Sequence, residues 1–134
     1  MRLKDISVLL VEDDADNLEL LGACFEEEGA LIYCASSIAG ALAVTVDKRV
    51  DVVVSDLELA DGDGCVLLRQ LTTRLERKLP AIAVTGYSQQ HWRDKAADCG
   101  FARYAVKPFA LDELVHWITE LTGASSRSAG SVES

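Results

Sequence analysis

An α/β sandwich built on a five-stranded parallel sheet, with helices packed on both faces, is predicted by three features of the 134-residue chain. Five short apolar runs recur along it, amphipathic helical patterns lie between and after them, and 49% of the residues are hydrophobic, enough for one buried core. Strands that alternate with helices in this way pair in parallel through right-handed crossovers.

The first run, "ISVLLV" (6–11), is continuous in apolar character, as expected of a strand covered on both faces. The helix after it puts Leu18, Leu21 and Phe25 on one side and stops at Gly29. "LIYCA" (31–35) is the second strand, and its helix, capped by Ser36 or Ser37, aligns Ile38, Leu42, Thr45 and Val46. "VVVS" (52–55) ends on Asp56, and Asp63 is placed to cap a third helix that buries Val66, Leu67, Leu71 and Leu75. "AIAVT" (81–85) is followed by the weakest helix, 88–99, with Ser88 as the expected cap, only Trp92, Ala96 and Cys99 to bury, and Gly100 as its stop. "RYAV" (103–106) precedes a last helix with Leu111, Leu114, Val115, Ile118 and Leu121 along one face. Residues 1–122 therefore read as one domain, and "GASSRSAGSVES" (123–134), small and polar, reads as a disordered Ser-rich tail.

The chain carries a net charge of -9, unevenly spread: residues 1–63 hold 15 acids and 4 bases, residues 64–134 hold 7 acids and 9 bases. That distribution argues against direct binding of a nucleic-acid backbone and is compatible with a cation site in the first half. No apolar run has the length of a membrane span, and the N-terminus lacks a signal peptide's apolar stretch, so a cytoplasmic protein without membrane attachment is expected. Cys24, Cys34, Cys65 and Cys99 show no metal-binding or CxxC spacing and read as small buried thiols, with Cys65 the one open to a redox role. His91 and His116 have no partner at ligand spacing and read as exposed helix residues, while Trp92 and Trp117 fit either a partner surface or partial burial between helices.

In parallel α/β sheets, ligands bind beyond the carboxyl ends of the strands. Here the first strand ends in Glu12, Asp13 and Asp14, the third in Asp56, the fourth in Thr85, and the fifth in Lys107 followed by Pro108. Two carboxylates about 4 Å apart repel by roughly 4 kcal/mol at an effective dielectric near 20, so such a cluster must take up a proton or a cation. A hard divalent ion, Mg2+ or Mn2+, suits oxygen ligands of this kind. With that charge neutralised, an Asp56 oxygen can attack a phosphoryl group, Lys107 can balance one phosphoryl oxygen, and Thr85 can hydrogen-bond another.

"VLLVEDDADN", "VVVSDLELADGDG", "AVTGYS" and "YAVKPF" resemble, in order and spacing, the motifs of the receiver domains of bacterial two-component response regulators. The resemblance spans residues 5–122 and implies a flavodoxin-like (βα)5 sandwich with strand order 2-1-3-4-5. It implies Asp56 as phosphoacceptor, Asp13 as principal metal ligand with Glu12 acting through water, and the backbone carbonyl of Glu58 as a further ligand. It also implies Thr85 as the switch hydroxyl, Lys107 as the phosphoryl-binding lysine, Tyr104 as the aromatic whose rotamer follows Thr85, and a cis bond before Pro108. The phosphoryl donor would be a histidine kinase or histidine phosphotransfer protein, and the output a protein target docking on the face of the fourth helix, fifth strand and fifth helix. Both a free-standing regulator and a receiver taken from a hybrid kinase fit the sequence.

Two departures stand out. Ala60 occupies a position where the family usually has proline, which implies a looser loop, and Glu58 and Tyr87 fill the two variable positions that tune phosphoryl lifetime. From another class, an aspartyl-phosphate phosphatase similar to the haloacid dehalogenases would need a second aspartate where Glu58 stands. A calcium loop would need acids where Leu59 and Gln70 stand, and a flavin carrier would meet Glu12, Asp13 and Asp14 at its phosphate.

Overall fold

The computed structural model describes residues 1–124. Along the chain run β1 (Ser7–Val11), α1 (Ala15–Glu27), β2 (Leu31–Ala35), α2 (Ile38–Val44), β3 (Val52–Asp56), β4 (Glu58–Leu59), β5 (Gly62–Asp63), α3 (Gly64–Leu75), β6 (Ala81–Thr85), α4 (Gln90–Cys99), β7 (Arg103–Val106) and α5 (Leu111–Thr122). Five strands form one parallel sheet in the order β2-β1-β3-β6-β7, and β4 and β5 pair only with each other as a two-residue antiparallel ladder. Counted within the main sheet this is the expected 2-1-3-4-5 order of a flavodoxin-like fold.

Alternation of side chains along each strand divides the core into two layers. Val8, Leu10, Val52 and Val54 face α1 and α5, where they meet Leu21, Phe25, Leu114 and Ile118. Leu9, Val11 and Val53 face the opposite way, toward Ile38, Leu67, Leu71 and Phe101. Burying an aromatic as completely as Phe25 contributes about 2–3 kcal/mol. β1, β3 and β6 are buried at every position, whereas β2 is not: Leu31 is 56% exposed and Cys34 is also exposed. β2 is an edge strand with a neighbour on one side only, so its apolar run does not signal full cover.

Several local expectations are corrected. Val46 lies beyond the end of α2, whose C-cap is Thr45, and is exposed because the helical phase has stopped. Ser37 and Asp63 cap α2 and α3, but α4 begins at Gln89 without a side-chain cap, so Ser88 does not serve. Of the expected tail 123–134, only its first two residues are described: Gly123 turns α5 off with φ of 71°, and Ala124 is buried. Its remainder, 125–134, lies outside the described residues.

The reading of four buried thiols also gives way. Cys65, in the first turn of α3, is bonded to Cys99, the last residue of α4, with Cα atoms 5.6 Å apart. Cys24 and Cys34 are free, the first half-buried. Adjacent placement of β3 and β6 brings α3 and α4 side by side, and a separation of 34 residues in sequence gives no hint of it.

Candidate functional site

Glu12, the residue after β1, donates its backbone N–H to Ala35 and turns its carboxylate inward, where none of it reaches solvent. Its Oε1 accepts from Lys107 Nζ at 2.8 Å and from Asn17 Nδ2 at 2.9 Å. Its Oε2 is buried without a hydrogen-bond partner among the described residues. Asp56, at the end of β3, is also buried, with Oδ2 accepting from Lys107 Nζ at 3.0 Å and Oδ1 from the Glu58 N–H at 3.0 Å. Lys107 thus spends two of its three donors on two carboxylates from neighbouring strands.

Burial raises the Glu12 carboxyl above the usual glutamate range, and the Lys107 bond only partly opposes it. Burial pulls the Lys107 ammonium down, but the bonds to Glu12 and Asp56 outweigh it and its pKa is raised. Asp13 is exposed at the mouth, and one oxygen each of Glu12, Asp13 and Asp56 lie within 4.8 Å of one another. A buried carboxylate oxygen without a donor, beside two further carboxylates, fits a hard divalent cation. Adding Mg2+ to metal-free protein is expected to stabilise it by about 2.7 kcal/mol at a hundredfold excess over Kd, read as a higher unfolding midpoint. A calorimetric scan with EDTA and then Mg2+ checks this, and the gain should be lost in Asp13→Asn.

Asp14 does not join the cluster. Its Oδ1 accepts from the Asp16 and Asn17 N–H groups at 2.9 and 3.1 Å, capping α1. A short acid just before a helix is captured by the nearest free amides, a local competition that the strand-end pattern conceals.

On the other rim, Thr85 is buried at the end of β6, and its Oγ1 accepts from the Tyr87 N–H at 3.1 Å. Tyr104, half-buried on β7, donates its hydroxyl to the Tyr87 carbonyl at 2.6 Å. The two bonds grip the Gly86–Tyr87 turn from either side. Tyr87 in turn donates its hydroxyl to Glu58 Oε2, and that carboxylate holds the phenol proton beyond the usual tyrosine range. The Lys107–Pro108 peptide is cis, and the Lys107 N–H donates to the Thr85 carbonyl at 2.7 Å.

Sequence reasoning did not anticipate Asn17, the Tyr87–Glu58 bond or Asp61. Asp61 reaches across to α2, accepting from the Ile38 and Ala39 N–H groups at 2.9 and 3.1 Å. The loop expected to be loosened by Ala60 is therefore tied, by Asp61 and by the β4–β5 ladder. The detectable signal for Asp61 was a helix start at Ile38 with spare amides, but nothing in the sequence identified which acid would supply it. Around α4, Tyr87 and Trp92 stack with ring centroids 4.6 Å apart, and Lys95 pairs with Asp63 at 3.0 Å. His91 and His116 are exposed, as expected, and Trp117 is half-buried against the α1–α5 side of the core.

Comparison with known proteins agrees with this geometry. The chain is 34% identical to the regulatory protein AtoC of Escherichia coli over 110 residues, covering 81% of this chain but only 24% of that protein. It is 31% identical over 119 residues to an uncharacterized 14.6 kDa protein of Leptolyngbya boryana, covering 88% and 91% of the two chains. Among solved structures, the non-phosphorylated HemR receiver domain of Leptospira biflexa matches with a TM-score of 0.79 and 28% identity over 88% of this chain and 94% of that one. The receiver domain of a sensor histidine kinase of Pseudomonas aeruginosa, solved with a magnesium ion in its active-site cleft, matches with a TM-score of 0.80 and 26% identity over 89% and 98%. Residues 8–119 match the response regulator receiver domain as a family, and with the sheet order and the strand-end carboxylates in place, it is to this family of two-component receivers that the chain belongs.

Proposed function

We propose that the chain is a phosphorylation-controlled switch in which Asp56 accepts a phosphoryl group from a histidine kinase or histidine phosphotransfer protein. The observation that carries this reading is the placement of Asp56 between Lys107, at 3.0 Å, and the carboxylates of Glu12 and Asp13, within 4.8 Å. Asp13, Asp56, the Glu58 backbone carbonyl and, through water, Glu12 are the residues that would hold Mg2+ or Mn2+. Bound there, the ion would offset the charge of the carboxylates and of the incoming phosphoryl group.

An Asp56 carboxylate oxygen forms the new bond to phosphorus as the donor's phosphorus–nitrogen bond breaks, its electron pair leaving with the imidazole. Lys107 Nζ, freed in part from the carboxylate charge it now balances, follows the added negative charge onto a phosphoryl oxygen. Thr85, whose oxygen accepts from the Tyr87 N–H and whose own proton is still free to give, supplies a hydroxyl donor to another and in moving toward it draws the Tyr87 turn along. Tyr104, bonded to the same turn, moves with it, and the face of α4, β7 and α5 changes its affinity for a protein target. A differential affinity of a few kcal/mol between the two states suffices. In this reading residues 1–122 are the working unit, acting in the cytoplasm, and neither nucleic acid nor membrane is a direct partner. Among the described residues no helix is long and apolar enough to cross a membrane.

The phosphatase alternative asks for a free acid at position 58, but the Glu58 carboxylate is engaged by the Tyr87 hydroxyl. Incubation with acetyl phosphate and Mg2+, followed by intact-mass measurement, separates the two. The expected result is one added phosphoryl mass on the native chain and none on Asp56→Asn. Continuous release of phosphate from small esters without accumulated label would overturn the switch in favour of an enzyme.

A further inference from the structure

Apart from the acidic site, the Cys65–Cys99 pair is the feature of the described residues with chemistry of its own. Its position is peculiar. Cys65 follows Gly64, whose N–H donates to the Leu57 carbonyl at 2.9 Å, so it lies directly after the loop that leaves Asp56. Cys99 ends α4, the helix that follows Thr85 and the Tyr87 turn. The bond therefore joins the segment behind the phosphoacceptor to the segment behind the switch hydroxyl.

α4 is the helix that such a tie would affect most. Ala96 is its only fully buried residue, and it starts without a side-chain cap. Besides the disulfide, Lys95 of α4 pairs at 3.0 Å with Asp63, the residue that caps α3; the pair is partly exposed, and pairs of that kind contribute at most about 1 kcal/mol. Nor does the fold depend on a staple, because the hydrophobic layers on both faces of the sheet are already closed.

The sulfurs are also reachable. An open cleft of about 500 Å³ is lined by Cys65, Cys99, Arg69 and Lys95, with Asp94 and Asp98 also on its wall. Cys99 is half-buried and Cys65 almost wholly buried, so a reagent entering the cleft meets Cys99 first. Cys65 lies in the first turn of α3, behind Cys99 as seen from the cleft, and the neighbouring Asp63 is paired with Lys95.

We propose that Cys65 and Cys99 are a reversible redox modification site, served by a small disulfide of the glutathione type, that anchors α4 to α3 when oxidised. In the forward direction the Cys99 thiolate attacks the incoming disulfide, forming a mixed disulfide and releasing one glutathione thiolate. The Cys65 thiolate then attacks Cys99 Sγ and expels the second. Two protein thiols are oxidised, one small disulfide is reduced to two thiols, and excess reduced glutathione reverses both steps. The consequence for signalling rests on the phosphoacceptor reading of Asp56: with α4 anchored, its response to phosphorylation is restrained.

The test equilibrates the full chain in glutathione buffers from fully reduced to fully oxidised, quenches with a thiol-alkylating reagent, and reads peptide masses and the hydrogen exchange of residues 90–99 without any phosphoryl donor. A Cys65–Cys99 crosslink should appear through a single midpoint and vanish again on reduction, and oxidation should slow exchange in α4 by about fivefold or more. Cys65→Ser and Cys99→Ser should exchange like the reduced chain under both conditions. A crosslink absent from every buffer, one that resists reduction, oxidant captured by Cys24 or Cys34 instead, or a crosslink that leaves α4 exchange unchanged would each overturn the proposal. Acetyl phosphate is then added to both forms, and a smaller exchange response in the oxidised chain is expected. No label on Asp56 in the reduced chain would sink the phosphoacceptor reading while the redox site stands, whereas normal labelling without a crosslink would sink the redox site alone.

Discussion

Lys107→Met is expected to destabilise the metal-free protein by about 2–4 kcal/mol at neutral pH, the largest loss of any single site substitution considered. Among the described residues Lys107 Nζ is the only cation bonded to Glu12 and Asp56, and Glu12 is wholly buried. Without it, the Glu12 carboxylate keeps only the Asn17 amide, and the two acids repel each other at close range. The penalty is limited because Glu12 can escape it by holding a proton. That escape fixes the sign of the pH dependence. Glu12 already has a raised pKa in the folded chain, so folding binds its proton more tightly and stability falls as pH climbs from the ordinary glutamate range through the raised value. Removing Lys107 raises that value further and extends the fall to higher pH. The gap between native and variant should therefore be small near pH 4 and widen toward neutrality. The native Lys107 contribution, with its own raised pKa, persists until pH passes above the usual lysine range. Urea titrations in EDTA at a series of pH values measure all of this, and equal midpoints at neutral pH would show that the pair does not hold the site. Uptake of phosphoryl groups from acetyl phosphate should drop by about a hundredfold or more, the usual cost of removing one charge-balancing donor.

Gly64→Ala is the second large effect. A Cβ at position 64 would lie 2.7 Å from the Asp56 carbonyl oxygen and 3.3 Å from both Leu57 Cα and the Phe101 ring. Two of those three obstacles are backbone, so the first turn of α3 or the end of β3 must shift. Overpacking of this kind costs about 1–3 kcal/mol, and here the displaced strand end carries Asp56 itself. Lower stability should come with slower phosphoryl uptake. Gly22→Ala in α1 is the matching control, since a Cβ there meets nothing within 4 Å and the helix should gain up to about 1 kcal/mol. Similar behaviour of the two alanines would show that the close approach at Gly64 is not a constraint.

Much of this arrangement was legible because strands and helices announce themselves by spacing. "VVVS" running into Asp56, "AIAVT" ending in Thr85 and "YAV" leading to Lys107 place three polar residues at the same ends of adjacent parallel strands, and the sheet order then brings them together. What remained hidden depended on three-dimensional neighbours. Asp14 looks like Asp13 in sequence, yet one helix turn of free amides claims it. The exposure of Leu31 follows from β2 having one neighbour, which the apolar run "LIYCA" does not encode. Cys65 and Cys99 meet only because β3 and β6 are adjacent. Tyr87 and Glu58, variable positions by resemblance, turn out to be bonded to each other, and only side-chain reach across the cleft reveals that.

The grip of Asp61 on Ile38 and Ala39 bears on how the chain comes together. α2 spans only seven residues, too few to persist in water unaided, and half of what starts it arrives from a loop more than twenty positions downstream. A fragment truncated after residue 55 would retain Ser37 as the sole organiser of that helix, and its far edge would be expected to melt into coil. α2 is therefore expected to be fully organised only in a chain that includes the central strand and its outgoing loop.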